Sequence, residues 1–362
     1  MRWELTEEQA DFRSVLADWL ADRCGPDTLR EWLDAGDHAT FSDRFVTDGW
    51  FGVGSPEELG GQGGGLVELA LTAEELGRRA APSSAWLGSM LALPALGAES
   101  AEALLAGGIT TVLACPADTV PGARSAVSRA DGVLSGRVPM VLGAGRARRV
   151  VVPVSSPEGC SLVLFDVDQP GVEVSGRSLT DRSRTASDVV LDRAAGTTLG
   201  GEASAALAAA ALRSAVLVAA DALGVMERML DMTVEYAGQR HQFGVPIGSF
   251  QAVKHAAAEM LVKVEAARSI VYLAAASVEA GARDAPVHAA AAKAQVTGDA
   301  SAAADTALTL HGAIGYTWEH ELQVFYKRAK LDAPLFGAPA VWNERLAEAL
   351  DLIAPSREPA PA

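Results

Sequence analysis

The stretch YAGQRHQFGVPIGSFQAVKHAAAEM, from Tyr236 to Met260, gathers side chains able to hold a flat, charged ligand. Arg240 supplies a cation, Phe243 a ring and Gln251 a neutral donor, all beside a turn marked by Phe243-Gly244 and Pro246. One helical pattern runs out before Arg240, Pro246 bars its continuation, and Ser249 is placed to cap a second helix beginning at Phe250. A cation at a helix C-terminus commonly does no more than complement the helix dipole, so composition leaves the bland reading ahead. A second block, LHGAIGYTWEHELQVFYKRAK from Leu310 to Lys330, brings Gly312, Ala313 and Gly315 together ahead of Trp318, Glu319, His320 and Glu321.

Arg240, Phe243, Gly244, Pro246, Ile247 and Gln251 spell Arg-x-x-Phe-Gly-x-Pro-Ile-x-x-x-Gln, which resembles the flavin-binding turn of the acyl-CoA dehydrogenase family. The second block is similar to the family's His-Gly-Gly-x-Gly-Tyr/Phe-Thr-Trp-Glu-His segment in the version common among short bacterial members. Pro-Glu-Glu-x-Gly-Gly at 56–61 and Glu-Glu-Leu-Gly-Arg at 74–78 resemble its N-terminal domain. The resemblance implies FAD as cofactor and an acyl-CoA or related thioester as substrate, in fatty acid or sterol side-chain metabolism. It also implies a homo- or hetero-tetramer, with electron-transfer flavoprotein as the acceptor of a true dehydrogenase. Arg240, Phe243 and Gln251 match positions that reach a neighbouring subunit's FAD, and Gly312, Ala313 and Gly315 keep most of the turn that approaches the adenosine pyrophosphate. Thr309 stands where the family usually has Gln, and Ala338 and Ala340 stand where Thr and Gln follow the last loop's glycine. Each lost neutral hydrogen bond is worth about 1 kcal/mol.

Desaturation of a thioester needs a carboxylate in a water-poor pocket to take the α-proton, and donors to the thioester oxygen that stabilise the enolate. In the family that Glu stands at one of two places. One maps to LFGAPA, where Phe336 precedes Gly337; the other maps to about Ser214. Neither residue takes up a proton at neutral pH, so the catalytic residues are unknown. Asp221, two helical turns beyond Ser214, reads first as a core or interface carboxylate; Glu319 reads as a helix-start residue. His311 reads as a hydrogen-bonded core histidine, and Trp318, Trp342 and Tyr326 as packing. The expectation is an FAD-linked subunit for α,β-desaturation whose partner chain carries the base. The alternatives are a different flavoenzyme on the same fold, oxidase or monooxygenase in type and dependent on Asp221, or a structural partner without cofactor.

The elements that must position these residues follow from pattern. Over 362 residues, 49% hydrophobic and 21% charged, there is material for two or three packed subdomains. A net charge of -16 argues against nucleic acid. Cys24, Cys115 and Cys160 have no metal-ligand spacing and fit a reduced, cytoplasmic protein. MRWELTEEQADF has no apolar signal core, and the apolar stretch 203–224 is interrupted by Arg213 and Asp221, so a buried helix and no membrane span is expected.

Residues 1–108 read as a helical domain that starts with a Thr6/Gln9 capping box. Within it, GSPEELGGQGGG is a mobile loop joining two helices. From residue 109 to 198, short Val- and Leu-rich segments alternate with Gly, Pro, Ser and Asp, which predicts a small antiparallel barrel or sandwich. Residues 199–354 read as a bundle of four or five helices, at 202–238, 250–280, 286–311, 318–330 and 339–353, and 355–362 as a disordered tail. The fold class is therefore α+β and acyl-CoA dehydrogenase-like: N-terminal helices, middle antiparallel β-domain, C-terminal helical bundle.

Overall fold

Thr6 and Gln9 close their box in both directions, the Thr6 hydroxyl accepting from Gln9 N–H at 3.2 Å and the Gln9 amide oxygen from Thr6 N–H at 3.0 Å. Helix α1 (Glu7–Arg23) follows, in a computed structural model that describes residues 5–350 apart from 107, 123, 157 and 158. The expected tail lies outside the described residues. Helices α2 (Pro26–Ala35), α3 (Ala39–Thr47), α4 (Leu66–Arg78), α5 (Ser84–Ala92) and α6 (Ala98–Leu105) complete the first helical part, with Pro94 in a 3-10 turn between the last two. The glycine-rich loop joins α3 to α4 and is tied down by backbone bonds, Gly54 N–H to Gly63 O at 2.8 Å and Gly63 N–H to Ser55 O at 2.9 Å. Its glycines serve a tight turn, which replaces the loose connection expected.

Two four-stranded sheets follow. One has the order β1 (Thr111–Leu113), β4 (Arg149–Ser156), β5 (Gly159–Asp166), β8 (Thr197–Thr198); the other is β2 (Val127–Ala130), β3 (Val133–Leu142), β7 (Ala186–Ala194), β6 (Val172–Arg177). They enclose a core of Val112, Leu134, Val138, Val150, Val152, Val163, Phe165, Val189 and Leu191. Strand β4 alternates, with Val150 and Val152 in that core and Val151 in the helical one, so this strand joins the two parts. All pairings are antiparallel except β1 with β4. β1 pairs only as far as Val151, so Pro153 lies beyond that ladder. β2 and β8 escape a reading based on apolar alternation because three of the four β2 residues and both of β8 are exposed.

The last part is an up-and-down bundle: α7 (Ala203–Gln239), α8 (Gln251–Glu279), α9 (Ala285–His311), α10 (Leu322–Asp332) and α11 (Pro339–Ala349). Helix α7 is the one described helix long and apolar enough to cross a bilayer. Here it is the central core helix, with every residue from Ser214 to Glu227 buried. Two glycines let α4 lie against it. A Cβ on Gly224 would stand 1.9 Å from Glu74 O, and one on Gly77 2.1 Å from Asp221 O.

Two expected helix starts differ. Ser249 does not cap α8; its hydroxyl donates to Pro246 O at 2.7 Å and Phe250 takes the cap position. Helix α10 begins at Leu322 instead of Trp318, and its first N–H donates to His320 Nδ1 at 3.1 Å. Glu319 stands outside that helix, exposed, its carboxyl held below the usual range by backbone and Thr317 hydrogen bonds.

Candidate functional site

Helix α7 stops at Gln239, and a hairpin of β9 (His241–Gln242) with β10 (Val245–Pro246) carries the chain into α8. The two residues between these strands, Phe243 (φ 54°) and Gly244 (φ 83°), are both left-handed, the turn that suits a tight hairpin. For Phe243 that backbone is costly. Its ring is 92% exposed, and among the described residues its one aromatic neighbour is Phe250, edge-on at 6.1 Å. Arg240 and Gln251 are also exposed, and among the described residues Arg240 makes no ion pair and the Gln251 amide no hydrogen bond.

Thr309, Gly312 and Ala313 lie on the surface at the end of α9. Gly312 takes φ 65° and ψ -145°, and the Thr309 hydroxyl donates to Asp305 O at 2.8 Å, within its own helix. The up-down-up course of α7, α8 and α9 brings both groups to one end of the bundle. Tyr236, one turn before Arg240, stacks on His311, next to Gly312, at 4.6 Å. His311 is buried and its Nδ1 contacts Ala307 O at 2.8 Å, as expected of a core histidine. All six expected binding residues are thus solvent-facing, and a ligand held by them would need a second surface to cover it.

The two positions at which the resemblance led one to look for a base, 336 and 214, differ in kind. Phe336 is 1% exposed with φ 53°, and its N–H donates to Ala117 O at 2.7 Å. That donor is therefore engaged within the fold and does not face a substrate carbonyl. Trp342 Nε1 donates to Phe336 O at 3.0 Å, and the Lys293 ammonium donates to Asp332 O, Ala333 O and Gly337 O, each at 3.1 Å. The cleft beside this loop, lined by Ala117, Met140, Leu142, Leu331, Pro334 and Leu335, amounts to about 30 Å³. That volume is on the order of one water molecule. Ser214 is fully buried, and its hydroxyl donates to Ala211 O at 2.7 Å.

Other acids are committed elsewhere. Asp221 is buried and held by Arg328 at 2.6 Å and Arg184 at 3.0 Å. Burial raises its proton affinity, but the two guanidiniums outweigh that and keep it ionised, while burial and the Asp221 charge push Asp332 well up. Asp221 is thus a core carboxylate. Pattern reading missed Glu74 on α4, where burial first and Glu227 second push the carboxyl up to about 8. Tyr272 donates to it at 2.8 Å and Arg13 approaches to 2.6 Å. The only signal in the sequence was an acid set in an apolar helical stretch, LVELALTAEEL. Trp342 is core as expected, whereas Trp318 is 61% exposed and lies under Lys327 instead of packing inward. Among the described residues no group of three His, Cys, Asp or Glu is placed to hold a metal.

The flavin implied by the turn fits one part of this geometry and not the other. Guanidinium, amide, exposed ring and a glycine turn at the bundle end form a donor set suited to a nucleotide diphosphate. The loop at Phe336 offers no such set: its side chain is buried, its N–H is taken by Ala117 O, and the neighbouring cleft is small and apolar.

Comparison with known proteins supports this outline. Residues 6–104 match the family described as acyl-CoA dehydrogenase, N-terminal domain, and residues 205–350 match acyl-CoA dehydrogenase, C-terminal domain. Acyl-CoA dehydrogenase IpdE2 of Mycobacterium tuberculosis is 31% identical over 347 residues, covering 94% of this chain and 96% of its own length. Among solved structures, the Tcur3481-Tcur3483 steroid ACAD G363A variant superposes with a TM-score of 0.86 at 27% identity, over 95% of this chain and 98% of that one. The ChsE4-ChsE5 complex from Mycobacterium tuberculosis does so with a TM-score of 0.86 at 25% identity, over 98% and 100%.

Proposed function

The chain belongs to the acyl-CoA dehydrogenase family, and from that premise we propose that it is the base-lacking subunit of a hetero-oligomeric, FAD-linked enzyme that desaturates an acyl-CoA thioester. The observation that carries this reading is the pairing of an exposed nucleotide-type turn with a filled cleft. Phe336 and Ser214, both buried, stand at the two positions where the resemblance leads one to look for the base.

In this reading Arg240 neutralises phosphate charge, Gln251 donates to a phosphate or ring heteroatom, and Phe243 covers a flat face, all toward a neighbouring subunit. Gly312 and Ala313 leave their backbone open to close approach. When bound, FAD supplies the hydride acceptor. The partner supplies the carboxylate, and this chain supplies part of the cofactor cradle and its surface. The names of two structures it resembles, each a pair of different chains, support a mixed assembly, and the steroid label of one supports a bulky thioester.

The test is to express the chain alone and together with a Glu-bearing family member, and to record visible spectra before and after adding an acyl-CoA. The expected result is flavin colour and substrate bleaching only in the co-purified complex. A yellow homotetramer that bleaches its own flavin would sink the proposal. So would a complex that stays colourless with each Glu-bearing partner, which would select the cofactor-free structural role.

A further inference from the structure

A second cavity, of about 180 Å³, opens between α2, the end of α4, the middle of α7, the β6–β7 connection and the start of α10. It shares no lining residue with the Phe336 cleft or with the turn at Arg240. In a chain of net charge -16 its wall is basic: Arg30, Arg78, Arg79, Arg182, Arg228 and Lys327 face only Asp34, Asp181 and Glu321.

Pairing does not cancel the excess. Arg228 is matched by Glu321 at 3.0 Å, Arg182 by Asp34 at 3.4 Å, and Arg78 by Glu227 and Asp231 outside the cavity. Arg30, Arg79 and Lys327 form no salt bridge among the described residues, although Glu319, Glu75 and Asp181 respectively attract them from a distance. Arg30 donates to Glu319 O at 3.1 Å, and Lys327 to the Gln323 side chain at 2.5 Å. The Lys327 ammonium also stands 3.7 Å from the centre of the Trp318 ring. Arg79 Nε is buried without any acceptor. Burial, then Arg228 and Arg78, weaken the proton affinity of Arg79; burial, then Arg182, weaken that of Lys327. An oxyanion between them would relieve both.

The rest of the wall is apolar, with Leu29, Leu33, Val324 and Phe325 opposite the exposed Trp318 face. A cavity of about 180 Å³ is enough for one ring or a compact headgroup, since roughly 150 Å³ suffices for benzene.

We propose that this cavity binds a small organic anion, a phosphate or carboxylate joined to a flat or compact apolar body. The oxyanion lies between Arg79 and Lys327, and the body lies between Trp318 and the Leu29–Leu33 wall. Forked guanidinium donors suit either oxyanion, and the aromatic plane selects against a bare ion.

Three probes separate the possibilities on the full-length chain: inorganic phosphate for charge alone, phenyl phosphate for phosphate with a flat body, and benzoate for carboxylate with a ring. Thermal shift and tryptophan fluorescence are followed in each titration. The expected result is saturable binding of phenyl phosphate or benzoate at least tenfold tighter than of phosphate, weakened at least tenfold in Arg79→Gln/Lys327→Gln. Trp318→Phe should lose most of the fluorescence response and keep the thermal shift. Lys327→Gln alone, at a half-buried position, serves if the double variant folds poorly. The proposal fails if no probe saturates, if phosphate binds as well as the larger anions, or if the lysine variant binds them all unchanged.

Discussion

Arg328 shows how fully a single side chain can be committed in this core. All five guanidinium N–H groups are used, on both Asp221 oxygens, Ala81 O and the hydroxyls of Ser83 and Ser183. Removing one partner of a buried pair leaves the other charge uncompensated. Arg328→Lys should therefore cost about 3 kcal/mol or more in denaturant unfolding, since an ammonium cannot fill a planar fork of donors. Glu74 gives a residue-scale pH effect. Its carboxyl rises from an ordinary 4.5 to about 8 in the fold, so between those values the folded chain keeps a proton that the unfolded chain has lost. That contribution is whole below pH 4.5 and is lost as the pH climbs toward 8. Glu74→Gln should flatten this segment of the stability-against-pH curve. A parallel fall in both proteins, measured by guanidinium unfolding at pH 5, 6.5 and 8, would show that the proton sits elsewhere.

At the level of elements, the α4–α7 crossing is the tightest joint, with Gly77 and Gly224 each meeting the opposite backbone. Gly224→Ala has no room to relax and should cost about 2–3 kcal/mol or more, whereas Thr6→Ala, which removes one exposed cap, should cost about 1 kcal/mol. Equal losses in chemical denaturation would contradict this packing account. The crossing was not legible in the sequence, because Gly77 and Gly224 look like ordinary helix-weakening residues until two helices meet at them. The five bundle helices were legible, since alanine-rich runs and the prolines at 286 and 339 punctuate them. The short strands β2 and β8 were not, because their residues face solvent and lack alternation. The expected binding residues were named through a motif, not through physics, and their shared placement at one bundle end needed the Tyr236–His311 stack to be seen. The Arg30, Arg79 and Lys327 cavity left no trace in the sequence, since it draws single residues from distant elements.

For the whole molecule, the bundle end that carries Phe243 also exposes Val245, Phe250, Ile314 and Tyr316. Such a patch is an interface signature. Phe243→Ser should leave the melting temperature of the isolated chain unchanged, because the ring touches little of its own fold. The same change should reduce flavin retention by the co-purified complex at least tenfold, read from the ratio of visible to ultraviolet absorbance; unchanged retention would remove the ring from the cradle. The loop at Phe336 bears on ancestry. A Glu at position 336 would stand in a loop whose own backbone N–H is already accepted by Ala117 O and whose next residue, Gly337, has no room for a side chain, since a Cβ there would meet Val120 and Trp342. If the proposed reading holds, a carboxylate regained there would still lack the surroundings that make it a base, so reliance on a second gene product would not be reversed by one substitution.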